Sequence, residues 1–201
     1  MGKLVFYYGA MGCSKTANAL MLRFQYQQKG KRVWLIKPAV DVRDDVVENN
    51  NRISLIKSRI GISAEAYAVH PQENIIITYN KLSSKPVDLL ICDECQFLSA
   101  EQVDQLKYLA EVENLIVYCY GLRTDSNTNL FCGSKRLFEM ADEIHYLHSV
   151  CSCGREAIVN AKFDPSGKLI VETSTQVDPG GDEKYRAVCW TCWRKLQNEE
   201  K

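Results

Sequence analysis

Short apolar runs alternate with amphipathic stretches over roughly the first 150 residues. "KLVFYYG" is apolar and aromatic with no internal alternation, the pattern of a strand covered on both faces. "SKTANALMLRFQYQQKG" follows, with Ala17, Leu20, Met21 and Phe24 on one helical stripe and Gly30 as its C-terminal stop. "KRVWLIKPA", "NIIITYN", "VDLLICDE", "NLIVYCYGL" and "EIHYLHSV" read as further strands. "SAEQVDQLKYLAEV" reads as a helix, because Ser99 with Gln102 three residues later makes a capping box. "SKRLFEMAD" reads as another helix. Strands alternating with helices predict an α/β fold, a parallel sheet with helices on both faces.

The texture changes near residue 150. "EAIVNAKFDPSGKLIVETSTQV" holds two β-rich runs around an Asp-Pro-Ser-Gly turn and predicts a hairpin, and "DPGGDEKY" reads as a glycine-rich loop. Two domains are expected, residues 1–148 and residues 149–201.

Composition narrows the class. With 201 residues, 46% hydrophobic and 25% charged, the chain can bury a core and is not disordered. Lys+Arg equals Asp+Glu at 25 each, so no global basic field draws in nucleic acid or an anionic membrane. No stretch has the length of a membrane span, and the strand-like run from residue 4 leaves no room for a leader, so a cytoplasmic location is expected.

Two motifs carry chemistry. The first is "GAMGCSKT", which nearly fits G-x-x-x-x-G-K-[ST], with Gly9, Lys15 and Thr16 in place and Ser14 where the second glycine belongs. Such a loop turns consecutive N–H groups and a helix N-terminus onto phosphate oxygens. Its lysine reaches the outer phosphates, and its hydroxyl takes Mg²⁺. Ser14, at the helix start, is expected to adopt helical angles and act as a cap, with Gly12 supplying flexibility. A glycine-rich turn with an incidental Lys-Thr would show the same letters. The strand before and helix after favour nucleotide. "VDLLICDE" then ends a strand in Asp93-Glu94, the position of a metal-side carboxylate followed by a carboxylate able to accept a proton.

The second motif is Cys151-x-Cys153 with Cys189-x-x-Cys192, four thiolates from two tight turns. Four cysteines around a hairpin suit a closed, structural zinc site that replaces a core some fifty residues cannot build. The other cysteines, Cys13, Cys92, Cys95, Cys119 and Cys132, are scattered and read as small buried side chains or bystanders. His145 and His148 read as ordinary core or surface residues.

Taken together, "FYYGAMGCSKT", "KPAVDVRDD", "SRIGIS", "DECQFLS", "YGLRTD", "LFCGSKRL", "CSCGREA" and "GGDEKYRAVCWTC", in that order, resemble the cytosolic, zinc-containing thymidine kinases of the phosphate-loop type. The resemblance implies a P-loop (RecA-like) parallel-sheet domain with a small zinc-binding β-ribbon lasso that closes over the nucleoside. It implies transfer of the ATP γ-phosphate to the 5′-hydroxyl of thymidine or deoxyuridine, with Glu94 as catalytic base. ATP and Mg²⁺ fall to Gly9, Ala10, Met11, Gly12, Cys13, Ser14, Lys15, Thr16, Asp93, Glu94, Cys95 and Gln96. The nucleoside falls to Phe97, Leu122, Ser126 and Phe131, to Gln176, Val177, Asp178, Pro179 and Gly180 of the lasso, and to Tyr185. Cys151, Cys153, Cys189 and Cys192 would hold structural Zn²⁺. A homotetramer with feedback inhibition by thymidine triphosphate is implied, with neither nucleic acid nor membrane as partner. The family's "RTDF" reads "RTDS" here, placing Ser126 at an aromatic position. Arg43 and Arg59 are candidates to add positive charge near the phosphates.

Two other classes fit part of the pattern. A nucleic-acid-dependent ATPase would combine a phosphate loop, a "DECQ" box and a zinc ribbon, but the chain is short for two motor domains. A nucleotide-sensing module without turnover would account for Ser14 and Ser126, but Glu94 is intact. Because the phosphate loop and the cysteines fall in different domains, loss of one cysteine is expected to weaken thymidine binding and spare ATP.

Overall fold

The computed structural model describes residues 1–48, 51–82, 86–171 and 184–199. Six strands form one wholly parallel sheet: β1 (Lys3–Tyr8), β2 (Val33–Pro38), β7 (Tyr67–Val69), β8 (Leu89–Cys92), β9 (Ile116–Gly121) and β10 (Glu143–Tyr146). Their order is β10-β1-β9-β8-β2-β7. Between β2 and β7 lie two small antiparallel ladders, β3 (Val46–Glu48) with β4 (Asn51–Ile53) and β5 (Leu55–Lys57) with β6 (Ser63–Glu65).

Alternate side chains of the central strands β1, β2, β8 and β9 enter opposite cores. Leu90 and Cys92 of β8, with Leu4, Phe6 and Ile36, pack on the face covered by α2 (Ile75–Leu82), α3 (Ala100–Val112) and α4 (Cys132–Met140). Leu89 and Ile91 pack on the other face with Ala19 and Leu20 of α1 (Lys15–Gln28). Strands buried on both sides read as continuous apolar runs, which is why periodicity located them.

The capping box of α3 forms as expected. Ser99 Oγ accepts from the Gln102 N–H at 3.1 Å, and Gln102 Oε1 accepts from the Ser99 N–H at 3.2 Å.

"NIIITYN" is not a strand. Its β-branched residues form helix α2, because Asn74 Oδ1 accepts the Ile77 N–H at 3.0 Å and Ile75 and Tyr79, one turn apart, are both buried. Ile77 points outward, 53% exposed. The strand in this part of the chain is β7, at the sheet edge. "EIHYLHSV" is strand only as far as Tyr146.

The C-terminal residues have their own core of Ala157, Val159, Ala161, Phe163, Val188 and Trp193. The expected hairpin partner is also revised. β11 (Val159–Lys162) pairs antiparallel with β12 (Tyr185–Val188), and around the Asp-Pro-Ser-Gly turn the bridge is Phe163 with Leu169. The long antiparallel partner comes from later in the chain, after residue 184, and helix α5 (Trp190–Glu199) follows it.

Candidate active site and cysteine cluster

A cleft of about 560 Å³ opens at the carboxyl ends of β1, β2, β8 and β9, where parallel sheets present their loops. Met11, Gly12, Ser14, Lys15 and Thr16 line it from the first loop, and Asp93, Glu94 and Gln96 from the end of β8. Asp41 and Arg43 come from the segment after β2, and Arg59 from the segment after β5. Phe97, Leu122, Ser126, Phe131 and Tyr185 complete the same wall. Phe97 and Phe131 meet edge to face, ring centres 5.6 Å apart. Sites assigned from distant parts of the sequence therefore share one cavity.

The loop curls around its own lysine. Lys15 is 8% exposed, and its Nζ donates to Ala10 O at 3.0 Å, with Gly9 O and Cys13 Sγ each at 3.4 Å. Ser14 departs from expectation. Its backbone is left-handed (φ 64°, ψ 25°) and its side chain caps nothing. Gly12 is likewise at φ 78°. The second glycine of the pattern thus answers to a positive φ, which serine meets only at a cost.

Asp93 is 3% exposed, and the Thr16 hydroxyl is hydrogen-bonded to it. Burial, followed by the neighbouring Glu94, pushes its carboxyl up to about 7. Glu94 sits in the left-handed region at φ 51°. Its Oε1 lies 2.6 Å from Arg43 Nη2, and Oε2 accepts from Gln96 Nε2 at 2.5 Å. Burial pushes this carboxyl up, but the Arg43 guanidinium and the Lys15 ammonium outweigh it and hold it below the usual carboxylate range. Asp41 orients Arg43 through Nε at 2.6 Å, and Glu94 and Asp41 together raise the Arg43 value against the effect of burial. Two adjacent carboxylates thus carry opposite shifts, one proton-retaining and one ionised.

The Cys95 side chain is fully buried in the main core, its sulfur against Cys119. The lining of the cleft does not include Gly9, Ala10 or Cys13. Gly133, at the start of α4, explains how the Cys95–Phe97 turn is held. A Cβ there would stand 2.5 Å from Cys95 O and 2.8 Å from Leu98 O, so only glycine lets α4 seat against this turn. His145 stacks on Tyr7 at 4.6 Å, and His148 pairs with Glu156.

The four cysteine sulfurs all lie within 4.8 Å of one another, with Cys153 and Cys189 at 3.6 Å. Tetrahedral thiolates 2.3 Å from a zinc ion would be about 3.8 Å apart, so this donor set fits zinc. The Cys192 N–H donates to Cys189 Sγ at 3.4 Å, and backbone N–H groups of Cys153 and Cys189 bond the Cys151 sulfur. Gln176, Val177, Asp178, Pro179 and Gly180 lie outside the described residues.

Comparison with known proteins decides the family. A family model described as "Thymidine kinase" matches residues 2–193. The chain belongs to the thymidine kinase family. Among curated relatives, the thymidine kinase of Legionella pneumophila subsp. pneumophila (strain Philadelphia 1) is 38% identical over 99% of this chain and 92% of its own length. The thymidine kinase of Enterobacteria phage T4 is 37% identical over 98% and 97%, and that of Vibrio cholerae serotype O1 is 38% identical over 94% and 95%. A solved structure, the Pif1 helicase from Candida albicans, is similar at a TM-score of 0.43 and 13% identity over 73% of this chain and 36% of that one, too slight a likeness to carry an argument.

The structure also brings forward residues that sequence reasoning missed. Asp41, Thr124, Asp125 and Asn160 line the cleft, and Ser149 borders it. Asp41 and Asp125 lie within family-like segments, so the motifs pointed to their neighbourhood. For Asn160, one polar residue inside a short β-run, no local signal existed.

Proposed function

We propose that this thymidine kinase family member transfers the γ-phosphate of ATP to the 5′-hydroxyl of thymidine or deoxyuridine. One observation carries the reading: a phosphate-loop lysine, two adjacent carboxylates and the aromatic wall of Phe97, Phe131 and Tyr185 converge on a single cleft. Residues 9–16 hold the ATP phosphates, with Lys15 leaving its loop carbonyls for them. Thr16 and Asp93 would hold Mg²⁺, which supplies charge neutralisation at the phosphates. Glu94, kept ionised by Arg43, accepts the proton of the 5′-hydroxyl as that oxygen attacks. Arg43 also orients the carboxylate, and Arg59 faces the loop at Gly12.

Residues 1–148 form the ATP-binding domain, and residues 149–201 the domain that closes over the nucleoside through Tyr185 and residues 176–180. Cys151, Cys153, Cys189 and Cys192 would hold one structural zinc. A backbone grip on a pyrimidine edge rejects cytosine through its exchanged donor and acceptor. Among the described residues no helix is long and apolar enough to cross a membrane. Cytoplasmic location, a homotetramer and inhibition by thymidine triphosphate complete the reading, the last two open to mass measurement and competition assay.

The test is incubation with ATP, Mg²⁺ and thymidine against ATP, Mg²⁺ and single-stranded DNA. Thymidine monophosphate in the first arm alone is expected. DNA-stimulated ATP hydrolysis, or nucleotide binding without turnover, would overturn the assignment.

A further inference from the structure

Both backbone polar groups of Met11, in the phosphate loop, are bonded to side chains from the C-terminal part of the chain. The Met11 N–H donates to Asn160 Oδ1 at 2.8 Å, and the Met11 carbonyl accepts from Ser149 Oγ at 2.9 Å. Asn160 is 3% exposed and Ser149 7%. The Asn160 amide nitrogen donates to Thr124 O at 3.3 Å, so one side chain ties the loop after β1 to the loop after β9. Asn160 lines the cleft, and both ends of its amide are engaged in bracing the two loops.

These bonds act on the peptide planes of the loop. In a trans peptide the C=O and the next N–H point in opposite directions. Fixing the Met11 N–H toward Asn160 therefore turns the Ala10 carbonyl the other way, where it accepts from Lys15 Nζ at 3.0 Å. Fixing the Met11 carbonyl toward Ser149 likewise sets the direction of the Gly12 N–H, at a glycine held in the left-handed region at φ 78°. Both braces belong to the cysteine-bearing element. Ser149 stands two residues before Cys151 and its carbonyl accepts the Ala157 N–H at 2.8 Å, while Asn160 pairs with Ala187, two residues before Cys189.

We propose that Ser149 and Asn160 are positioning residues for ATP, through which the cysteine-bearing C-terminal element sets the geometry of the phosphate loop. The proposal rests on the reading that residues 9–16 hold the ATP phosphates.

The test compares Asn160→Ala, Ser149→Ala and Ser149→Thr with wild type in the full chain. Measured are ATP affinity by calorimetry, KM for each substrate, kcat, zinc content and melting temperature. Each alanine variant is expected to weaken ATP binding and raise KM for ATP about tenfold, equivalent to about 1.4 kcal/mol for a buried hydrogen bond lost. KM for thymidine should move less than about threefold, with zinc retained. Ser149→Thr, which keeps the hydroxyl, should bring ATP affinity back to within about threefold of wild type. Unchanged ATP affinity in both alanine variants overturns the proposal. So does a parallel fall of ATP affinity, thymidine affinity and melting temperature without rescue by threonine, because the residues would then be ordinary scaffold. If Asn160→Ala fails to fold, the Ser149 pair decides alone, since loss of a hydroxyl leaves no large cavity. A wild-type protein that binds no ATP would sink the phosphate-loop reading itself, an outcome separate from the others.

Discussion

Arg43 Nη2 stands 2.6 Å from Oε1 of Glu94, and Gln96 occupies the other carboxylate oxygen. The pairing keeps Glu94 ionised, but it also means that a substrate hydroxyl must share or displace one of these partners. Glu94→Gln should keep ATP binding and lose about 10²–10⁴ in kcat, since an amide takes no proton at neutral pH. Arg43→Ala should lower kcat and, by removing the cation that depresses Glu94, move the acid limb of the kcat–pH profile upward. An acid limb that stays in place would separate Arg43 from the ionisation of Glu94.

Asp93 carries the opposite shift, with consequences for stability. Its carboxyl sits at about 7 in the fold against an ordinary 3.8, so the folded state holds a proton that the unfolded chain releases. Stability from this group is therefore present below about pH 4 and is lost as pH rises through about 7, a change on the order of a few kcal/mol. Urea melts of the ligand-free protein should show this downward slope between pH 5 and pH 7, and Asp93→Asn should flatten it. Equal slopes in both proteins would count against the buried, protonated Asp93.

At Ser14 the left-handed backbone predicts more than tolerance of glycine. Ser14→Gly should leave KM for ATP within a few-fold and stabilise the fold by about 0.5–1 kcal/mol, because glycine meets φ 64° without steric penalty. Ser14→Val should cost about 2 kcal/mol or more, since a β-branched side chain is poorest at positive φ. Thermal melts of the three proteins order these cases directly.

Loss of a ribbon cysteine now has a different expected outcome from the one the sequence implied. Cys189→Ser should release about one zinc per chain and weaken thymidine binding. It should also weaken ATP binding, because Ser149 and Asn160 reach Met11 from the same element. Metal analysis beside two calorimetric titrations checks this. ATP affinity equal to wild type in a zinc-free protein would mean the two halves are independent after all.

The features legible in the sequence were those whose physics is local. The phosphate loop, the Ser99–Gln102 capping box, the Asp93-Glu94 strand end and the paired cysteines each declare themselves within a few residues. Strands buried on both faces write their burial as unbroken apolar runs. Family resemblance joined these pieces, and of them the phosphate loop and the Asp93-Glu94 strand end meet in one cleft.

Tertiary structure decided whatever depended on residues far apart in the chain. "NIIITYN" became a helix because α3 offered a surface to Ile75 and Tyr79 that outweighed β-branched propensity. Cys95 went to the core because α4 and its Gly133 press the adjoining turn inward. Ser14 and Glu94 took left-handed angles, which neither residue type announces in the sequence. The bracing of Met11 joins residues 138 and 149 positions apart, a separation at which no pattern of neighbouring letters carries information. Local preference chose the parts, and packing chose which of them touch.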